Sequence, residues 1–234
     1  MDRQANCVLR NAQIYTMDSH RSWADALAIR AGRLVAIGSD ADVAPWIGKE
    51  TQVFDLGGRF VMPGLYDSHI HSVEGGLQTL YQCTISPRAT AEEAAAAVQR
   101  FAQANPQSEW IYGGGWHLGL RGTANRGLLD AVVADRPVFL WDLALHNAWV
   151  NSKAFAVAGI DRQTPDPVGG QIEHTADGEP TGILLETAAT ALFRHVPNYS
   201  LEQTEAGAVK AMQMLNQAGV IGIKEASTNR QALC

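Results

Sequence analysis

Cysteine is scarce in this 234-residue chain. Cys7, Cys83 and Cys234 lie far apart and outside any CxxC spacing, which argues against a disulfide framework or a structural zinc knot and points to reduced thiols. Clustered basic charge is also missing. Lys and Arg are scattered through a chain of formal net charge -6, so the electrostatic footprint of a nucleic-acid binder is absent. No apolar run approaches the roughly eighteen residues needed to span a bilayer, and the opening MDRQANCVLR lacks the apolar stretch of a signal peptide. No membrane association is expected, and a cytoplasmic location is. What the chain has is 46% hydrophobic residues, enough for a sizeable core.

The first sixty residues contain short apolar and β-branched runs at 8–15, 26–30, 33–37, 52–55 and 59–62. Ala31-Gly32 and Gly57-Gly58 sit between successive runs, which predicts hairpins. This region, residues 1–62, is read as a small β unit, half of a β-sandwich. After Pro63-Gly64 the pattern becomes strands alternating with helices, the mark of a βα-repeat architecture. Thr90-x-x-Glu93 and Ser200-x-x-Gln203 are capping boxes ahead of helical runs, the second of which stops at Gly219. Ala94 to Ala97 and the Met212, Met214, Leu215 stretch are read as core-facing helix. Apolar runs at 110–112, 138–141 and 220–223 suit buried parallel strands, and a hairpin is expected around Asp177-Gly178. Strands beginning near Leu65, Trp110, Val138 and Val220 make half of a (β/α)₈ barrel. The fold class is therefore α/β, with residues 63–234 forming a partial TIM-like barrel. A complete barrel needs about 250 residues, and no helix follows the last strand, so a truncated chain is expected.

The segment that carries chemistry is Pro63-Gly64-Leu65-Tyr66-Asp67-Ser68-His69-Ile70-His71. In an extended strand His69 and His71 share a face while Ile70 turns away, so two imidazoles converge. Neutral imidazole suits zinc and neighbouring transition metals, and Asp67, on the same face, could orient a ring. A bare HxH is more often a pair of polar residues at a loop mouth. Lys224 ends the run Val220-Ile221-Gly222-Ile223 where a barrel strand delivers residues to the catalytic face, and Glu225 points the other way. His146 follows the 138–141 strand closely enough to reach the barrel mouth and is assigned to substrate binding. Trp116 and His117 follow the 110–112 strand; Trp116 suits either a pocket wall or the core. His174 is read as surface. Gly113, Gly114 and Gly115 match no phosphate-binding pattern and are read as a tight turn leaving a strand.

PGLYDSHIH after a β unit resembles the first barrel strand of the amidohydrolase superfamily. Gly113-Gly114-Gly115-Trp116, Arg136-Pro137-Val138, His146-Asn147-Ala148-Trp149-Val150-Asn151-Ser152 and Asp177-Gly178-Glu179-Pro180-Thr181-Gly182 are similar to stretches of its family 3, YtcJ-like branch. The resemblance runs over essentially the whole chain and identifies it with that branch's N-terminal half. It implies hydrolysis of a small-molecule amide, formamide or related non-peptide C–N bond by metal-activated water. The cofactor would be Zn²⁺ or another divalent transition metal, one or two ions, and the full-length protein would be a homodimer. In relatives a lysine after the fourth strand can be carboxylated and bridge two metals, which gives Lys224 a ligand role beside His69 and His71. The superfamily's later ligands, two histidines and the aspartate that acts as general base, would lie beyond Cys234. Two further readings stay open: a catalytically inactive fragment or assembly module, and a deaminase or isomerase on the same fold.

Overall fold

The computed structural model describes residues 4–20 and 22–226, which leaves Cys234 outside the described residues. It resolves into two compact units. One comprises Met1–Asp67 with Gly219–Gly222, the other Ser68–Ala218 with the chain from Ile223.

In the first unit β1 (Cys7–Arg10), β2 (Gln13–Tyr15), β3 (Trp23–Ala24), β4 (Ala26–Arg30), β5 (Arg33–Gly38), α1 (Asp40–Val43), β6 (Gln52–Asp55) and β7 (Phe60–Val61) follow one another. They form a four-stranded sheet in the order β5-β4-β1-β6 and a three-stranded sheet in the order β3-β2-β7. The β4–β5 hairpin turns through Ala31 and Gly32, both at positive φ, as the sequence predicts. The second predicted hairpin does not form. β6 pairs in parallel with β1, and β7 in parallel with β2, because the turn at Gly57 and Gly58 sends the chain from one sheet to the other. The run at 8–15 is likewise two strands, broken at Asn11, whose φ is 52°. The Asn11 carboxamide donates to Asp55 at 2.7 Å, which ties this break to the end of β6. Val8, Ala26, Ala28 and Val43 form one small core, and Ala12, Ile14, Ala24 and Leu27 another.

β8 (Leu65–Ile70) and β15 (Val220–Glu225) pair as a two-stranded sheet, each running from the first unit into the second. The second unit continues with α2 (Ser72–Tyr81), β9 (Cys83–Thr84), α3 (Ala91–Ala104), β10 (Ile111–Trp116), α4 (Arg126–Asp130), β11 (Val138–Asp142), β12 (Asn147–Val150), α5 (Ser152–Ala158), β13 (Gly170–His174), β14 (Pro180–Glu186), α6 (Thr187–Phe193) and α7 (Leu201–Gln217). Its six-stranded sheet has the order β13-β14-β12-β11-β10-β9. β9, β10 and β11 are parallel, whereas β12, β14 and β13 add on antiparallel. Only four residues join β11 to β12, too few for the crossover a parallel neighbour requires. The expected series of four barrel strands is thus divided between two sheets. No closed barrel exists among the described residues.

Alternation along β11 builds a core on each face of this sheet. Val138 and Leu140 join Ile111, Trp149 and Ile183 under Ala91, Ala94, Val98 and Ala102 of α3. Phe139 turns to the other face with Ala148, Val150 and Leu184, beneath α5 and α6. Both capping boxes form as read, Thr90 with Glu93 and Ser200 with Gln203. Met212 and Met214 are exposed, contrary to the core-facing reading of that stretch. The buried stripe of α7 is instead Thr204, Gly207 and Ala211, because α2 approaches so closely that a Cβ on Gly76 would overlap the carbonyl oxygen of Gly207.

Two polar side chains fix the ends of these elements. Arg136 donates to the carbonyls of Ala102, Asn105, Pro106 and Ser108, each at 3.0 Å, and so caps the C-terminal end of α3. Asn151, fully buried, accepts from Val138 N and Ala154 N and donates to the carbonyls of Val133 and Arg136. One carboxamide thereby caps α5 and anchors the start of β11.

Candidate metal centre

His69 lies near the end of β8, and His71 follows that strand at the N-cap of α2. Their ring centroids are 5.6 Å apart at an interplanar angle of 89°, so the two imidazoles neighbour one another while Ile70 separates them in sequence. Behind His71 the chain turns at once into helix, and the N–H and hydroxyl of Ser72 both donate to Glu225 Oε2 at 2.7 Å. Glu225 Oε1 then lies 3.9 Å from His71 Nδ1.

Lys224 is exposed and Glu225 half-buried; the Glu225 carboxylate accepts from the N–H that opens α2, which an ammonium could not do. From β15 it is thus Glu225 that contacts His71, a residue the sequence reading does not assign to the site. Asp67 is half-buried.

A cavity of about 550 Å³ opens beside His71. Glu74 and Gln78 of α2 line one side, and Trp141 and Asp142, at the C-terminal end of β11, line another. Gly113, Gly114 and Gly115 also border it, and they are part of β10 rather than the turn read from sequence. Backbone packs on backbone there: a Cβ on Gly113 would overlap the carbonyl of Cys83, and one on Gly114 the carbonyl of Trp141. Glu74 and Gln78 were missed in the sequence, although their helical spacing after His71 places them on one face.

The other candidates fall elsewhere. Trp116 has no exposed surface; its ring packs edge-on against Trp149 and its N–H donates to the Leu140 carbonyl at 2.8 Å. It fills the core rather than a pocket wall, because it points into the layer beneath α3. His117 Nδ1 accepts from Gly119 N in a local turn. His174 is half-buried rather than surface, with Nε2 enclosed. His146 pairs through Nδ1 with Glu186 Oε2 at 2.9 Å, a contact that raises its pKa above the ordinary imidazole value, through the hydrogen bond first and the carboxylate charge second.

Among the described residues no group of three or more His, Cys, Asp or Glu is placed to hold a metal ion. The His69–His71 pair nevertheless has the donor chemistry of a transition-metal site, and a carboxylate beside one imidazole is the usual means of fixing a ligating ring. The residues present fit a metal as part of a ligand set.

Comparison with known proteins places the fold and the histidine pair in a family. The chain belongs to the amidohydrolase family, whose family 3 model matches residues 52–233. It is 34% identical over 196 residues to the N-substituted formamide deformylase of Arthrobacter pascens, covering 82% of this chain and 36% of that protein. It is 32% identical over 213 residues to the putative amidohydrolase YtcJ of Bacillus subtilis, covering 89% and 40%. An uncharacterized metal-dependent hydrolase from Pyrococcus furiosus superposes with a TM-score of 0.69 at 26% identity, covering 97% of this chain and 45% of that one. The chain thus spans about two fifths of the length of the curated relatives it matches. No helix among the described residues is long and apolar enough to cross a membrane.

Proposed function

We propose that this chain carries part of the active site of a metal-dependent amidohydrolase that cleaves a non-peptide C–N bond, amide or formamide-like, in a small molecule. The observation that carries the reading is the His69–His71 pair at the end of β8, with His71 on the wall of the cavity. His69 and His71 would hold Zn²⁺ or another divalent transition metal, one ion or two, with Lys224 a further donor if its side chain turns inward. The bound metal supplies Lewis acidity and lowers the pKa of water. Glu225 orients His71, and the glycines of β10 present backbone along the cavity wall. His146 contributes to substrate binding. The formamide end of the substrate range is supported by the similarity to the Arthrobacter deformylase. The complete protein would act as a cytoplasmic homodimer.

Titration of the chain with Zn²⁺ against a chromophoric chelator tests this. Two histidine ligands predict weak binding, with a Kd no tighter than about micromolar, that disappears in His69→Ala and in His71→Ala. Zinc binding unchanged in both variants would remove the reading. A second reading, an inactive or assembly module, predicts no zinc binding at all.

A further inference from the structure

Glu74 occupies the third position of α2, the place from which Glu93 in α3 reaches back to accept from Thr90 N at 2.8 Å. Glu74 makes no such bond to its own N-cap residue. The N–H that opens α2 is taken by Glu225 instead, and the Glu74 carboxylate has no hydrogen bond or ion pair among the described residues. A carboxylate in the first turn of a helix gains a little from the dipole wherever its oxygens point. Here it borders the cavity beside His71.

The charge of that cavity has one sign. Among the described residues its lining holds two carboxylates, Glu74 and Asp142, and no lysine or arginine. Asp142 is buried and already accepts from His146 N at 2.9 Å, Asn147 N at 3.1 Å and Asn147 Nδ2 at 2.8 Å, which leaves Glu74 as the carboxylate open to a ligand. Tyr112 and Trp141, both half-buried, line the same cavity. The Phe193 ring lies 5.6 Å from that of Tyr112 and 5.3 Å from that of Trp141, so packing from behind holds both in place. Burial first, then the charges of Tyr199 and Glu74, raises the Tyr112 pKa above its ordinary value, so the Glu74 charge reaches this phenol. Aromatic rings and a carboxylate both attract a cation. An anion is repelled by the carboxylate, and a neutral alkyl group gains nothing from it.

We propose that the cavity beside His71 takes substrates that carry an alkylated ammonium group, with Glu74 facing the charge and the rings of Tyr112 and Trp141 against its alkyl groups. The inference rests on the cavity being a substrate site and names the substrate class it takes. It makes no use of the metal.

The test is a titration of the chain with choline, a trimethylammonium probe, in the presence of EDTA, followed by NMR of the Tyr112 and Trp141 rings and the Glu74 side chain. All three residues should shift with one saturating Kd of about millimolar. The neutral tert-butyl analogue of choline, of the same shape without the charge, should bind about tenfold more weakly. Glu74→Gln should weaken choline binding about fivefold and Glu74→Asp should restore part of it, while Glu92→Gln, on α3 and outside the cavity lining, should leave it unchanged. The Tm of Glu74→Gln should stay near that of the parent because the side chain is exposed. Ring signals that ignore choline, that respond equally to the neutral analogue, or a Kd unchanged in Glu74→Gln would overturn the proposal. EDTA keeps metal out, so failure here leaves the His69–His71 reading standing, and failure of the zinc titration leaves this one standing.

Discussion

Ser72 holds Glu225 twice, through its backbone N–H and its hydroxyl, both at 2.7 Å to the same carboxylate oxygen. A carboxylate at the first helical residue of α2 also meets the positive end of that helix. Glu225→Ala leaves both donors without their acceptor and removes the carboxylate 3.9 Å from His71 Nδ1. Hydrogen bonds to a charged group contribute about 1.5–3 kcal/mol each, so urea denaturation should show a loss of about 2 kcal/mol or more. A loss within about 0.5 kcal/mol would mean that water replaces Glu225 at no cost.

Gly76→Ala places a methyl group against the Gly207 carbonyl where α2 crosses α7. Backbone cannot yield as a flexible side chain can, so the helices must separate. Overpacking of this kind costs about 1–3 kcal/mol, and chemical denaturation should find a change in that range. Gly75→Ala, one residue away with open space around it, should stabilise or leave stability unchanged.

Burial pushes the Cys83 thiol from 9.0 up to about 12, the charge of Arg100 opposing only in part. At pH 8 the folded chain should leave Cys83 unalkylated by iodoacetamide, with labelling appearing on unfolding, as read by peptide mass spectrometry. The linkage has a definite sign. Between pH 9 and 12 the unfolded chain loses this proton while the folded chain keeps it, so Cys83 lowers stability progressively across that window. Cys83→Ala should remove that part of the alkaline slope.

His146 titrates above the ordinary imidazole value because Glu186 accepts its hydrogen bond and stabilises the cation. The contribution of the pair is complete below the unfolded-state value of 6.5 and is lost as pH rises through the higher folded value. Carbon-detected titration of the ring should show the elevated midpoint in the parent and a fall toward 6.5 in Glu186→Gln. An unshifted midpoint in the parent would contradict the contact.

What the sequence made legible was local. The two capping boxes, the Ala31-Gly32 hairpin and the Asp177-Gly178 turn each depend on residues a few positions apart, and each forms. The histidine pair was readable for the same reason, since strand and spacing are adjacent in the chain. Pairings between distant segments were not. Gly57-Gly58 has the composition of a hairpin turn, yet its flanks find parallel partners some 45 residues earlier. Gly113 and Gly114 are glycine because of Cys83 and Trp141, which no local pattern reveals. Glu225 was set aside by strict alternation, and its bonds to Ser72, 153 residues earlier, leave no local signal. The pairing of Glu186 with His146 has no sequence signal either, as it joins residues forty positions apart.

The glycines of β10 have one further consequence, for how this cavity can change. Three successive residues of β10 that border the cavity beside His71 carry no side chain, and at each a single methyl group would meet neighbouring backbone, that of Cys83, Trp141 or Ile85. That part of the wall is closed to substitution. A selection for new substrates would therefore leave positions 113, 114 and 115 alone and act on the rim, where Gln78, Leu143 and Leu145 lie outside the sheet.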